Sequence, residues 1–477
     1  MSLGVPSGDG EIGKTDYDLI VVGAGSGGFA AARTARSLGA SVAFVDPGPL
    51  GGLCILRGCM PSKTLLATSD AAQEVREARA LGVIVPEPEI DFRAMMARKR
   101  EIIKGFADYR IEGIETFPLF KARARFLSPT ALQAGDTVLT ARKYIIATGS
   151  VVAPPVFPGL AEVGYIDSDA ALELEEKPES LVVLGGGYVA CELGQFFHRI
   201  GVPVTMLIRA AHLLSGADTD IGEGLTEEFR REGIDVRTEA LVQRVELRDG
   251  KKVVKYLQRG VAREAAAAEI FYALGRVPNI EGLGLEAAGV RAHPITGIEV
   301  DSTLRTTNPD IFAVGDVTAD YALVHVAIQQ GEIAARNAVL GGREAADYSL
   351  SKTHTIFTDP QVAVAGESEK ELIRSGRPYL KGSYPFADHG KAISIGKTKG
   401  FVKMLADPRD GRILGAAMLG AHASDLIHEV VVAMYYRATV FDFMKIPHLH
   451  PTLAEIWTYP AEELAQMLEA AQAASAV

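Results

Sequence analysis

Cys54 and Cys59 stand five positions apart in the run Gly51-Gly52-Leu53-Cys54-Ile55-Leu56-Arg57-Gly58-Cys59-Met60-Pro61-Ser62-Lys63, and they are two of only three cysteines among 477 residues. Closing so short a loop removes little entropy from the unfolded chain, so a bond between them is a poor staple and a better redox device. Pro61 suits the first turn of a helix. A helix starting near Cys59 aims the positive end of its dipole at that sulfur and favours the thiolate. On spacing alone two unrelated buried thiols remain an alternative; a zinc site lacks further ligands at the required spacing. A second reactive group lies far along the chain, where His450-Pro451-Thr452-Leu453-Ala454-Glu455 sets an imidazole five positions before a carboxylate. Thiol-disulfide exchange needs a thiolate to attack and a leaving thiol to gain a proton, and an imidazole held by a carboxylate serves both near neutral pH. A surface histidine before a turn proline is the plainer reading of that run. His448 makes a His-x-His pair with His450, but without a third ligand we expect no metal.

These groups need a scaffold, and the chain writes one twice. Asp18-Leu19-Ile20-Val21-Val22 reads as a strand, Gly23-Ala24-Gly25-Ser26-Gly27-Gly28 as a tight turn into a small-residue helix through Leu38, and Ser41 to Val45 as a second strand ending at Asp46. Gly23, Gly25 and Gly28 permit the turn and close backbone approach, a pyrophosphate sits on the helix N-terminus, and Asp46 accepts from a ribose hydroxyl. The pattern recurs as Leu181 to Leu184, Gly185-Gly186-Gly187-Tyr188-Val189-Ala190, a helix to Ile200 and a strand from Val202 to Ile208. Two such units imply two dinucleotides; an ordinary α/β crossover with a Gly-rich turn is the alternative for the second. Asp46 lies 23 residues after Gly23, and the same offset from Gly185 lands on Ile208, followed by Arg209. The carboxylate that would repel a 2′-phosphate is absent and a guanidinium stands next to its place, so we expect NADPH to be preferred over NADH.

A chain of this length with 48% hydrophobic residues fills about three domains. Its net charge of -11 argues against a broad nucleic-acid surface. Three cysteines make no extracellular disulfide framework, Met1 to Lys14 resembles neither a signal nor a transit peptide, and no apolar run reaches the length of a membrane span. We therefore expect a cytoplasmic protein without membrane or nucleic-acid partners.

The run from Gly51 to Lys63 resembles the redox motif of the FAD-dependent pyridine nucleotide-disulfide oxidoreductases, the family of dihydrolipoamide dehydrogenase, glutathione reductase and mercuric reductase; Leu53 stands where the family has Thr, Ser or Asp. The resemblance implies a Cys54–Cys59 disulfide, with Cys54 as the interchange thiol that meets the substrate and Cys59 facing the flavin. It implies that Gly52 lies in the flavin loop and that Lys63 and Glu192 pair beside the reactive ring edge. Tyr144 to Ser150, with Thr148 and Gly149, is similar to a strand and turn of the FAD domain, and Pro154 to Pro158 reads as a linker. Phe271 to Asn279, with Arg276, is similar to the return crossing, and Ile311 to Asp316 to a strand whose terminal Asp316 holds the ribityl chain. Tyr188 and Ala190 resemble the NADPH-using reductases, which often carry a second Arg where this chain has Ser215; His212 is the nearby cation. The His450 to Glu455 run resembles the family's His-Pro-Thr-x-x-Glu motif, whose histidine acts across a homodimer interface.

The fold this implies is α/β, with two Rossmann-like dinucleotide-binding domains for FAD and NAD(P) and a C-terminal α+β dimerisation domain. Its expected segments are FAD-binding 1–150 and 276–348, NAD(P)-binding 151–275 and dimerisation 349–477. Within the last, Phe401 to Leu405 and Ile413 to Leu419 read as strands, Ser424 to Arg437 as a helix and Ala465 to Val477 as a frayed helix. Pro61-Ser62-Lys63 and the His450 run look most like dihydrolipoamide dehydrogenase, acting on a small disulfide or dithiol. A reductase of another small disulfide or of mercuric ion is the alternative. Against the glutathione type, Glu332 replaces an expected Arg although Arg33 fits; against the mercuric type, no cysteine follows Cys191, itself expected in the core. A non-turnover FAD redox sensor is the alternative from another class.

Overall fold

The computed structural model describes residues 15–351 and 353–475. Met1–Lys14 and the last two residues of the Ala465 to Val477 stretch lie outside them. The chain forms two compact units, and the first takes the chain to Cys54, Phe106–Val151 and Val277–Ala346. At the centre of its sheet, strand Tyr17–Val22 pairs in parallel with Val42–Val45 on one side and Thr137–Ile146 on the other. Leu119–Phe120 extends the sheet beyond Val42–Val45, Ile311–Ala313 pairs in parallel with Thr137–Ile146, and the antiparallel strands Ala131–Ala134 and Ala124–Ser128 hang from that same long strand. The central strand is apolar throughout because both of its faces are covered. Leu19 and Val21 pack with Ala31, Ala32 and Ala35 of helix Ser26–Ser37, while Ile20 and Val22 meet Phe126 and Tyr144. That helix crosses helix Val324–Leu340 at backbone contact: a Cβ on Gly331 would lie 2.2 Å from the Gly27 carbonyl oxygen.

The second unit takes Ile55–Gly105, Val152–Arg276 and the chain from Asp347. It holds a four-stranded parallel sheet in the order Asp235–Arg237, Val204–Leu207, Leu181–Leu184, Glu269–Tyr272, and a three-stranded antiparallel meander over Ala240–Arg248, Lys251–Gln258 and Val261–Ala267. Its five-stranded antiparallel sheet runs His354–Ile356, Gln361–Gly366, Ile413–Gly420, Phe401–Ala406, Leu380–Pro385, packed by helices Ala423–Tyr435 and Thr458–Ser475. Buried charges are paired, as burial demands. Arg199, 1% exposed, binds Asp70 at 2.9 Å, Glu232 at 2.6 Å and Asp359 at 2.7 Å. The Lys403 ammonium sits among Asp218, Asp220 and Glu369 at 2.8, 2.7 and 3.1 Å.

Two expectations need correction. The strand read as reaching Asp316 ends at Ala313, because Gly315 at φ +74° turns the chain and puts Asp316 in a 3-10 turn, Gly315–Thr318. Cys54 lies in a short helix, Leu53–Arg57, just before the helix that opens at Cys59. The segment from Ala465 is not a frayed end throughout: Ala465 and Leu468 are 4% and 3% exposed and pack in the core with Trp457 and Leu464. An alanine-rich stretch reads as weak from composition, but one apolar stripe suffices once a sheet lies beneath it.

Candidate active site

In the first unit the glycines divide by what they touch. A Cβ on Gly23, at φ +99°, would lie 2.4 Å from the Ala147 oxygen, and one on Gly28 would lie 2.0 Å from the Gly23 oxygen. Those two are required by the packing of helix on strand. Gly25 has φ -68° and would bring its Cβ no nearer than 3.9 Å, to Gly52 Cα. None of the described residues forbids a side chain there, so the bare backbone fits close approach of a ligand to the helix end. Among the described residues no side chain caps that helix. Its first N–H groups are therefore left for an anion, which fits the pyrophosphate of a dinucleotide. Gly52, at φ +79°, closes over Gly25 so tightly that its own Cβ would lie 2.7 Å from Gly25 Cα. Asp46 braces the turn, accepting from Ala24 N–H and Gly48 N–H, each at 2.7 Å. The Thr148 hydroxyl donates to the Asn279 carbonyl at 2.8 Å and Asn279 N–H to the Gly149 carbonyl at 2.9 Å, while Ser150 Oγ donates to Asp316 at 2.7 Å. The donor set, the open glycine and the uncapped helix fit FAD.

The second fingerprint repeats the logic. Gly185 is constrained, at φ +128° with the Ala273 oxygen 2.5 Å from a would-be Cβ, whereas Gly187 has nothing within 4 Å and begins helix Tyr188–Arg199 without a side-chain cap. Ile208, 3% exposed, fills the place that Asp46 takes in the first unit: its Cγ2 would meet a Cβ on Gly186 at 2.9 Å, as Asp46 meets the backbone of Ala24. Arg209 is exposed beside it. A cation that sequence reading missed adjoins Ser215, whose carbonyl accepts from Lys370 Nζ at 2.7 Å. His212 instead turns Nδ1 to the Leu213 carbonyl at 2.7 Å. Tyr188 is exposed at the helix start, its ring 5.8 Å from that of His354. Ala190 is fully buried, so this helix stands far enough from its strand to admit the Cβ that Gly28 cannot carry.

Cys59 is the first residue of a helix that runs to Glu77, with Pro61 in its first turn, and both Cys54 and Cys59 are half-buried. Ser62 Oγ donates to the Gly58 carbonyl at 2.8 Å and tightens that start. One turn on, Lys63 Nζ reaches Glu192 at 2.6 Å; the second Glu192 oxygen accepts from Phe357 N–H at 2.9 Å, and the ammonium lies 4.6 Å from the Phe357 ring centroid. Helices Cys59–Glu77 and Tyr188–Arg199 pack together, which is how residues 129 apart in sequence meet. Arg57 and Arg276 share one partner, Asp169, at 3.4 and 3.3 Å. Cys191 is fully buried, its sulfur 3.6 Å from the Gly186 carbonyl, and burial pushes its thiol far up, which makes it a core residue.

At the C-terminal end, the 3-10 turn Ala454–Trp457 anchors Glu455 beside the fully buried Ile456 and Trp457, with the indole N–H donating to the Leu426 carbonyl at 3.1 Å. His450 Nδ1 lies 3.1 Å from Glu455 Oε2; the imidazole is 81% exposed and the carboxylate 13%. A carboxylate on Nδ1 leaves Nε2 as the nitrogen that can exchange a proton with another group. His448 turns the other way, buried against Glu429 with Nδ1 at 2.8 Å from the Ile446 carbonyl. His389, which sequence reading missed, places Nε2 3.5 Å from the other Glu455 oxygen. No motif marks it; only the fold brings it there.

Two uncapped glycine turns, two half-buried cysteines five positions apart and an exposed imidazole on a carboxylate are each what a protein that moves electrons between dinucleotides and sulfur requires. A family model described as pyridine nucleotide-disulphide oxidoreductase matches residues 17–331, and one described as that family's dimerisation domain matches residues 353–461. Dihydrolipoyl dehydrogenase of Geobacillus stearothermophilus is 35% identical over 455 residues, 94% of this chain and 96% of that one. Mercuric reductase of Streptomyces lividans is 35% identical, covering 92% and 94%. The HOCl-induced flavoprotein disulfide reductase of Escherichia coli, solved as a Cu(II) complex, superposes with TM-score 0.80 at 25% identity over 94% of this chain and 98% of that one. The chain belongs to the pyridine nucleotide-disulfide oxidoreductases. It has their two Rossmann-like domains and C-terminal dimerisation domain, and it is an FAD-dependent oxidoreductase acting on a sulfur group. Among the described residues no helix is long and apolar enough to cross a membrane.

Proposed function

We propose that the protein is a cytoplasmic, homodimeric, NADPH-preferring oxidoreductase of a small disulfide/dithiol couple of the lipoamide type, working through Cys54, Cys59 and a His450 contributed by the opposite subunit. Bound FAD supplies the two-electron link between nicotinamide and the dithiol. In the reducing direction the Cys54 thiolate attacks one sulfur of the substrate disulfide, forming a mixed disulfide, and the released sulfur takes a proton from His450 Nε2. The Cys59 thiolate then attacks the Cys54 sulfur, freeing the second substrate sulfur as a thiolate that takes its proton from water, and leaving a Cys54–Cys59 disulfide. Glu455 holds the imidazole and stabilises its protonated form. Lys63, paired with Glu192, places a fixed cation one helical turn beyond Cys59. The division into segments 1–150, 151–275, 276–348 and 349–477 belongs to the same reading.

The His450–Glu455 pair at 3.1 Å carries the proposal, because a sensor that only reports its disulfide needs no base. Homodimerisation through this end is supported by the exposed Val432, Tyr435, Tyr436, Ile446 and Leu449 on the segment leading to His450. The NADPH preference is supported by Ile208 in the place of the acid, by the exposed Arg209, and by the Lys370 ammonium on Ser215. Steady-state oxidation of NADPH and NADH with lipoamide, glutathione disulfide, cystine and mercuric ion tests the whole. Turnover with an alkyl disulfide is expected; a flavoprotein that turns over none of the disulfides overturns it. Cys54→Ser should keep the long-wavelength absorbance of a thiolate against oxidised flavin and Cys59→Ser should abolish it. The opposite pattern reverses the assignment of the two sulfurs.

A further inference from the structure

We infer that His389 is a positioning residue of the thiol-disulfide step: its buried imidazole N–H holds the Glu455 carboxylate, so that the unit presenting the proton is His450–Glu455–His389. The inference rests on the reading of His450 as the acid-base residue. His389 is 0% exposed and its Nδ1 accepts from the Ala392 N–H at 3.4 Å, at the start of helix Gly390–Ser394. A neutral imidazole that accepts at Nδ1 must carry its proton on Nε2. That nitrogen lies 3.5 Å from Glu455 Oε1 and makes no hydrogen bond within the described residues. A buried donor with a single acceptor before it gains by closing on it, and catalytic hydrogen bonds that are long in the resting protein tighten when the reacting groups are assembled.

The ring cannot easily turn away. Tyr459 meets it edge-on at 6.0 Å and 90°, Phe386 packs at 6.5 Å and 79°, and Tyr459 is itself stacked on Tyr384 at 4.0 Å. The ionisable groups facing it are Glu455 and His450 from the C-terminal turn and Tyr459 from the following helix, with Tyr384 behind; Asp388 and Lys391 on its own segment flank it. Burial lowers the affinity of His389 for a second proton, and His450 lowers it further against the opposing pull of Glu455. A neutral donor therefore faces one carboxylate oxygen while His450 Nδ1 takes the other at 3.1 Å. Each oxygen has its own imidazole. The carboxylate is fixed in the rotation that keeps the proton of His450 on Nδ1 and its Nε2 available.

The test uses the FAD-loaded dimer. His389→Asn keeps an acceptor for the Ala392 N–H and loses the donor; His389→Gln carries an amide donor out to the position of Nε2. The alkyl disulfide that the wild type turns over best is compared with an aromatic disulfide, 5,5′-dithiobis(2-nitrobenzoate), whose thiolate leaves without a proton. We expect His389→Asn to lose tenfold or more in kcat with the alkyl disulfide and less than threefold with the aromatic one. Flavin reduction by the nicotinamide should be unchanged, the pH profile of the alkyl reaction displaced, and His389→Gln should recover most of the loss. Equal losses with both disulfides, or none, overturn the inference. If His450→Ala and Glu455→Gln collapse the alkyl reaction while His389→Asn behaves as wild type, only the role of His389 fails. If His450→Ala retains that reaction, the underlying assignment fails.

Discussion

Replacing the middle glycine of each nucleotide turn by alanine should separate ligand binding from folding, one ligand at a time. In the first turn Gly25→Ala adds a methyl whose nearest neighbour, Gly52 Cα, is 3.9 Å away, at a backbone conformation any residue adopts. The folded protein loses only the small preference for Gly over Ala at a helix N-cap, below about 1 kcal/mol. A pyrophosphate seated on that helix end meets the methyl directly. Loss of one charge-assisted hydrogen bond costs about 1.5–3 kcal/mol, roughly a ten- to hundredfold rise in the Kd for FAD. Gly28→Ala is the contrast: its Cβ would lie 2.0 Å from the Gly23 oxygen and 3.2 Å from Ala147 Cβ, so backbone must move and stability falls by about 1–3 kcal/mol or more. Gly187→Ala, with nothing within 4 Å, should weaken the nicotinamide dinucleotide by a similar factor and leave FAD untouched. Titration of apoprotein with FAD, of holoenzyme with NADP⁺, and thermal unfolding of each apoprotein give the three readouts. Apo Gly25→Ala melting as low as Gly28→Ala, or binding FAD as the wild type does, would refute the assignment of this glycine to the ligand.

Arg209→Ala should lower kcat/KM for NADPH about ten- to a hundredfold, the worth of one charge-assisted contact, with little change for NADH; equal use of both nucleotides by the wild type sinks the preference. Mixed dimers of Cys54→Ser and His450→Ala chains should recover part of the activity that each homodimer lacks, and no recovery after dissociation and reassociation that wild type survives means the site is not shared. Burial raises the proton affinity of Glu77, but its bonds to Lys397 and Gln73 and the charge of Lys399 outweigh this and bring the carboxyl down to about 2 from an ordinary 4.5. The stability this contributes is present above the unfolded value and lost as pH falls from about 4.5 to 2, and it amounts to roughly 3 kcal/mol at most. Glu77→Gln should therefore lower Tm at pH 7 and converge with the wild type near pH 2; an equal deficit at both pH values removes the ionic explanation.

What the sequence settles by itself is what neighbours along the chain determine. Strand, glycine turn and helix follow one another within a few residues, so both nucleotide turns, the helix opening at Cys59 and the internal register of Asp46 on Ile208 are legible without a fold. Side-chain partners belong to another order of information. Lys63 finds Glu192 because two helices pack, Asp169 gathers Arg57 and Arg276 from distant segments, and Lys370 arrives beside Ser215 from a helix outside the nucleotide unit. Asp316 is legible from its motif, but its place in a turn beyond the strand is set by the φ of Gly315. Within the proposed thiol-disulfide machinery, His450 and Glu455 are five residues apart and visible as a pair. His389 has no local signature, and its relation to them arises from burial, a backbone N–H that fixes its tautomer, and the Phe386 and Tyr459 rings packed edge-on against it. Local sequence fixes backbone form and the identity of reactive groups, because those depend on short-range sterics; which buried donor faces which acceptor is decided only when the tertiary structure excludes water and leaves each polar atom a single partner.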